Sequence, residues 1–151
     1  MSERQAQAET EQALAERVVS SMLARDAFSR WLGVEVADVS PRAVTVRMRV
    51  RDEMLNGFGL CHGGVTFAVA DTALAFASNT HGSVTVSIEN SIAYPTAVSA
   101  GDALTARAEE ERTTARLAFY RVTVQREDGE IVALFRGTVY RTKNPFFSDT
   151  E

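Results

Sequence analysis

"NGFGLCHGGVTFAVADTALAFASN", Asn56–Asn79, decides the architecture. From Gly64 onward it reads as a helix that is apolar on nearly every side, through Val65, Phe67, Ala68, Val69, Ala70, Ala73, Leu74, Ala75, Phe76 and Ala77. Such a helix has to be covered over most of its surface, and the flanking residues supply the cover. Upstream, "AVTVRMRV" sets Val44, Val46, Met48 and Val50 against Thr45, Arg47 and Arg49, the two-residue period of a strand with one dry face. Downstream, "SVTVSIENSIAY" alternates again. Val84, Val86, Ile88, Ile92 and Tyr94 are expected on the dry face and Ser87, Glu89 and Ser91 on the wet one, with Asn90 the polar exception on the dry side.

Three further strands are expected, at about Ala103–Glu111, Arg116–Arg126 and Glu130–Arg141, the last two joined through the hairpin pair Asp128-Gly129. Ahead of all this, Leu14, Val18 and Met22 recur every four residues, which predicts a helix from about Thr10 to Trp31, stopped by Gly33. The order is helix, two short strands, buried helix, four strands. Without a strand–helix–strand alternation, the class is α+β with a mostly antiparallel sheet curved around one long helix.

The 151 residues suit one domain, 1–151, with a helical extension over 1–30 and a tail over 143–151, "KNPFFSDTE", which is either loose or docked through Phe146 and Phe147. A composition of 45% hydrophobic and 24% charged residues excludes the disordered and fibrous classes. A net charge of −4, spread along the chain, gives no basic face for nucleic acid. The single cysteine, Cys61, cannot form an internal disulfide and fits a reducing compartment. "MSERQAQAETEQ" lacks the basic-then-apolar order of a secretion signal, and no apolar run nears the roughly 18 residues of a membrane span. A cytoplasmic protein is expected.

An aspartate inside so apolar a helix is costly unless it is paired, hydrogen-bonded or neutral. Burial raises a carboxyl pKa toward the range of a general base. Asp71 is therefore either a base or a carboxylate held by a neighbour such as Thr72, or turned to solvent. His62-Gly63-Gly64 opens the helix, where free N–H groups and the positive end of the dipole suit a developing oxyanion; a tight turn would use the same glycines. His62 could donate a hydrogen bond to a carbonyl or simply sit at the surface. Asn56 could hold a water or a substrate oxygen through its amide, and Asn-Gly is also an ordinary turn pair. Gly63 and Asp71 are eight residues apart, about 12 Å of helix rise. Both must lie within about 3 Å of the reacting atoms to act together. One helix cannot supply both, whereas two antiparallel copies about a twofold axis can, so an active site here is expected to be shared between subunits.

Asn56, the His62-Gly63-Gly64 turn six residues on and Asp71 eight after Gly63, with the ending "ALFRGTVYRT" at Ala133–Thr142, resemble the hotdog-fold acyl-CoA thioesterases of the phenylacetic-acid-degradation branch. The resemblance spans about Ala27 to Thr142. It implies a long helix wrapped by an antiparallel sheet, a homodimer with one continuous sheet, and a homotetramer as a dimer of dimers. It also implies roles: Asp71 as base or nucleophile, Gly63 as the oxyanion donor, His62 as its positioning neighbour, Asn56 as the amide that orients water or carbonyl, and Ser87 as a helper hydroxyl. One departure stands out. Where many relatives carry Arg-Pro, this chain reads "YPTAVSAGD", Tyr94–Asp102, so contacts of that segment are not carried over.

The reaction this implies is hydrolysis of an aryl-acetyl-CoA thioester without a cofactor; coenzyme A belongs to the substrate. No metal is required, since His62, His81 and Cys61 do not make a four-ligand set at zinc spacing. Gly64, Phe58, Leu60 and Phe67 are candidates for the acyl side, and Arg112, Arg116 and Arg136 for the phosphates of CoA, each of these arginines having a solvated surface charge as its alternative. Cys61 reads as a packed thiol rather than a nucleophile. The rival readings are an acyl-thioester hydratase or dehydratase on the same scaffold and a non-catalytic acyl-CoA-binding regulator.

Overall fold

The computed structural model describes residues 3–147, and its elements come in the expected order. Helix α1 (Glu3–Arg25) and short helix α2 (Ala27–Leu32) precede strands β1 (Glu35–Ser40) and β2 (Ala43–Arg49). The long helix α3 (Gly63–Asn79) follows, then β3 (Ser83–Ala93), β4 (Ala103–Thr113), β5 (Leu117–Arg126) and β6 (Ile131–Pro145). All six strands form one antiparallel sheet in the order β1-β2-β4-β5-β6-β3, with α3 packed against it. This is the α+β arrangement expected from the sequence.

The N-terminal helix expected as one piece is two. Asp26 breaks it, because its carboxylate accepts the Ser29 N–H (3.0 Å) and the Ser29 hydroxyl and so caps a new helix. Gly33 ends α2 at φ +79°, giving its N–H to Arg30, while Val34 N–H closes on Ser29. On α1, Ala15, Val18 and Val19 are buried.

Along α3, Val69, Ala70, Ala73, Leu74, Phe76 and Ala77 are buried, as the all-round apolar pattern requires. Val44, Val46 and Met48 of β2 point into the same core while Arg47 and Arg49 face out. Each fully buried large apolar side chain contributes about 1.5–3 kcal/mol. Alanines on both layers, Ala70, Ala73 and Ala77 on α3 and Ala106, Ala108, Ala118 and Ala133 on the sheet, keep helix and strands close.

The face assignment made for β3 is corrected by a β-bulge. Ser87 pairs with Val139 and Glu89 with Thr138, so Ile88 is an extra residue without a partner on β6. One extra residue reverses the alternation. Ser87 therefore shares the inner side with Val139, whereas Val86 and Ile88 stand 47% and 57% exposed instead of buried. Beyond the bulge Asn90 and Ile92 face inward, opposite Gly137 and Phe135.

The C-terminal tail is docked as far as it is described. β6 runs on to Pro145, Phe146 N–H donates to Gly82 carbonyl (2.8 Å), and the guanidiniums of Arg25 and Arg17 lie over the Phe146 and Phe147 rings. The tail beyond Phe147, and Met1 and Ser2 of the N-terminal extension, lie outside the described residues.

Candidate active site

The loop before α3 is built around Asn56. Its side-chain Oδ1 accepts from the N–H groups of Phe58 (2.9 Å) and Leu60 (3.2 Å), and its own N–H donates to Leu60 carbonyl (2.7 Å). Gly59, at φ +76°, closes the turn on Asn56 carbonyl. The loop is pinned at its end by Cys61 N–H on Val98 carbonyl and His62 N–H on Met54 carbonyl. The Asn56 oxygen shapes a turn, the ordinary Asn-Gly reading, and Asn56 also lines a cleft of about 190 Å³ that it shares with Leu60, Gly63, Thr66 and Tyr94.

His62 is the N-cap of α3, with Nδ1 accepting the Gly64 N–H at 2.9 Å. A neutral imidazole whose Nδ1 accepts carries its proton on Nε2, which makes Nε2 a donor. Gly64, expected on the substrate side, spends its N–H on this cap and is not a second oxyanion donor. Gly63 is different. As the first residue of α3 its N–H has no acceptor in the helix, and none elsewhere among the described residues. A Cβ at Gly63 would lie 3.3 Å from the Tyr94 ring, which would have to give by a few tenths of an ångström, and the Tyr94 hydroxyl donates to Gly63 carbonyl at 2.9 Å.

Two turns further on, Asp71 is half-buried in α3. Burial pushes its carboxyl pKa up, and a hydrogen bond from Asn90 Nδ2 to Oδ1 (3.1 Å) partly opposes this. Ser87 Oγ donates in turn to Asn90 Oδ1 at 2.8 Å. The neighbour considered from sequence, Thr72, points elsewhere, to the buried Ser29 hydroxyl at 3.2 Å. Asn90 is not among the site residues expected from sequence, although its position as the polar exception in an apolar alternation marks it. Tyr94, expected on a dry face, instead roofs the helix start.

The other candidates do not converge on one space within a chain. Leu60 lines the cleft at Gly63. Phe58 stands 91% exposed at the loop tip, and Phe67 packs edge-on against Phe135 at 5.3 Å. Because α3 is unbroken, the Gly63 N–H and Asp71 remain about 12 Å apart along its axis.

A family description, the thioesterase superfamily, matches residues 58–133, just over half of the chain and spanning His62, Gly63, Asp71 and Asn90. The chain belongs to the thioesterase superfamily. A curated relative, the acyl-coenzyme A thioesterase PaaI of Escherichia coli K12, is 35% identical over 121 residues, 80% of this chain and 86% of its own length. The solved structure of the E. coli PaaI protein from the phenylacetic acid degradation operon has a TM-score of 0.87 at 32% identity, over 89% of this chain and 97% of that one. A mutant form of the phenylacetic acid degradation protein PaaI from Thermus thermophilus has a TM-score of 0.75 at 41% identity, over 78% of this chain and all of that one.

This thioesterase is therefore a thioester hydrolase of the hotdog fold. Its Cys61 thiol is buried against Thr66, with burial raising its pKa, which is the opposite of what a nucleophilic thiolate needs. Two of the three arginines considered for CoA sit on the outer face of the sheet, away from α3. Arg136 alternates with the buried Phe135 and pairs with Glu111 at 3.5 Å, and Arg112 stands opposite Phe119. Arg116, in the β4–β5 turn, donates to Tyr140 hydroxyl at 3.1 Å. In one chain the sheet separates Arg112 and Arg136 from Asp71, so neither shares a wall with it. Among the described residues no group of three or more His, Cys, Asp and Glu side chains comes together, and no helix is long and apolar enough to cross a membrane.

Proposed function

We propose that the protein hydrolyses acyl-CoA thioesters, with aryl-acetyl-CoA, phenylacetyl-CoA or a ring-hydroxylated form, as the substrate class, and that two subunits share each site. The observation that carries this is the division of parts along α3: an uncommitted N–H at its start and a half-buried carboxylate about 12 Å further on. Two antiparallel copies of α3 bring the Gly63 of one beside the Asp71 of the other. The name of the E. coli relative supports the acyl-CoA class, and the phenylacetate setting of both PaaI structures supports an aryl-acetyl group.

The thioester carbonyl oxygen would accept from the Gly63 N–H at the positive end of the helix dipole. His62 Nε2–H and the Asn56 NH2 group are donors beside it. Asp71 of the second copy takes a proton from water as the water oxygen bonds to the carbonyl carbon. The C–S bond then breaks, and the thiolate leaves with the electron pair. A thiolate needs less acid assistance than an alkoxide, which suits a site whose half-buried acid serves as base. Water is the only co-reactant. The exposed Val86 and Ile88 on the free edge of β3 support pairing of that edge with a second copy, and a tetramer would stack two such dimers.

Thiol release over a panel of acyl-CoAs tests the reading. Asp71→Asn should lower kcat by about 10²–10⁴-fold with binding kept. A variant that turns over like the wild type removes the catalytic reading and favours a binding protein, and hydration of an enoyl-CoA without thiol release would favour a hydratase. In a single turnover in ¹⁸O water, label in the Asp71 carboxylate would replace the base by a nucleophile.

A further inference from the structure

We infer that Asn90 is a positioning residue for Asp71, held in its working orientation by Ser87. The inference rests on the proposed catalytic role of Asp71 and adds to it. An ionised carboxylate only accepts hydrogen bonds, so the Asn90 amide must turn Nδ2 toward Asp71. Its Oδ1 then faces away, where only a donor satisfies it, and the Ser87 hydroxyl is that donor at 2.8 Å. The three groups form a directed chain, Ser87 to Asn90 to Asp71, ending on Oδ1 and leaving Oδ2 for the water proton.

Two backbone features exist where this chain needs them. The bulge at Ile88 puts Ser87 on the same side of β3 as Asn90, three residues later, where unbroken alternation would put them on opposite sides. Across the ladder from Asn90 stands Gly137, where a Cβ would lie 2.8 Å from Asn90 Oδ1 and 2.5 Å from Leu74 Cδ2. Only a residue without a side chain leaves room for the amide there.

Within one chain, burial raises the Asp71 carboxyl pKa and the Asn90 bond opposes it. Glu89, next to Asn90 in β3, faces the other way and accepts from Thr138 at 3.1 Å. With the Asn90 bond removed, burial acts unopposed and the carboxylate becomes a carboxylic acid at higher pH.

The test is the pH dependence of kcat for thiol release from phenylacetyl-CoA by the full-length wild type, Asn90→Leu, Asn90→Asp, Ser87→Ala and Asp71→Asn, each checked for an intact thermal transition. Asn90→Leu removes the donor at similar volume and should lower kcat roughly 10–100-fold with KM nearly unchanged. Its acid limb should move to higher pH. Asn90→Asp sets a second carboxylate against Asp71 and should move the limb further. Ser87→Ala should shift it in the same direction by less, and it remains informative should the Asn90 variants misfold. An acid limb that stays in place in all three variants overturns the inference, whatever happens to kcat. If Asp71→Asn turns over normally, the reading of the site falls and the inference with it. If Asp71→Asn is inactive while the limbs do not move, only the role of Asn90 falls.

Discussion

Gly63 occupies the first position of α3, the one helical position where proline is readily tolerated because its missing N–H has no helical partner. His62 already holds the extended backbone, φ −62° and ψ 133°, that a following proline requires. Gly63→Pro is therefore a near-surgical deletion of one N–H. The Tyr94 ring, half exposed, has to give by a few tenths of an ångström. Loss of one oxyanion donor should cost on the order of 10²–10³-fold in kcat, with far-UV circular dichroism unchanged; turnover within a few-fold of wild type would mean that another donor polarises the carbonyl. Asp71 carries a second expectation. Its folded pKa is raised by burial, so the native state holds a proton more tightly than the unfolded chain does, and stability falls as pH rises through the window above the ordinary carboxylate value. Asp71→Asn should therefore melt at a higher temperature than wild type near neutral pH. The advantage should shrink below about pH 4, where both states of the wild type are protonated. A melting temperature below wild type at pH 7 would contradict the burial argument.

At the scale of elements, what was legible was whatever repeats over many residues. The apolar circumference of α3, the alternation of β2 and the Asp128-Gly129 hairpin all stand where periodicity and turn chemistry put them. What was not legible depended on a single residue. Asp26 divides the N-terminal helix because its carboxylate offers the backbone a cap; it falls on the next position after Leu14, Val18 and Met22, where one polar residue reads as a gap in the stripe rather than as a helix end. In β3 the extra Ile88 reversed the faces, because a period of two retains no phase across an insertion. The same insertion hid Ser87, which read as facing water, whereas Asn90 faces inward as read and only its pairing with Asp71, 19 positions away, was not legible. Gly137 carries the element-scale prediction. Gly137→Ala should destabilise by about 1–3 kcal/mol through overpacking against Leu74. It should also reproduce the loss of turnover of Asn90→Leu, since the added methyl occupies the place of the amide. Denaturant melts and thiol release on the same samples check both, and a destabilised variant with normal turnover would separate packing from positioning.

For the whole molecule, the decisive experiment is mixing. Asp71→Asn lacks the acid and Gly63→Pro lacks the donor, so each homodimer is inactive at both sites. Co-refolding the two should restore roughly a quarter of the wild-type rate, because a mixed dimer contains one complete site and one doubly damaged one. Continued inactivity, with mixed dimers verified by differential tags, would place Gly63 and Asp71 in separate functions. That two chains share the site is a proposal legible from arithmetic on the helix, since eight residues of rise exceed the reach of any single thioester carbonyl. The edge proposed for pairing was not legible, because Val86 and Ile88 read as core until the bulge turned them outward.

The bulge also bears on how large an assembly can grow. An unbroken exposed edge accepts a neighbouring strand in many registers and, in the extreme, without limit, which is the route to fibrils. An irregularity near the middle of β3 leaves few alignments in which two copies can lie side by side, since kink must meet kink. The residue that swings Ser87 toward the acid is thereby expected to limit open-ended pairing along the β3 edge as well.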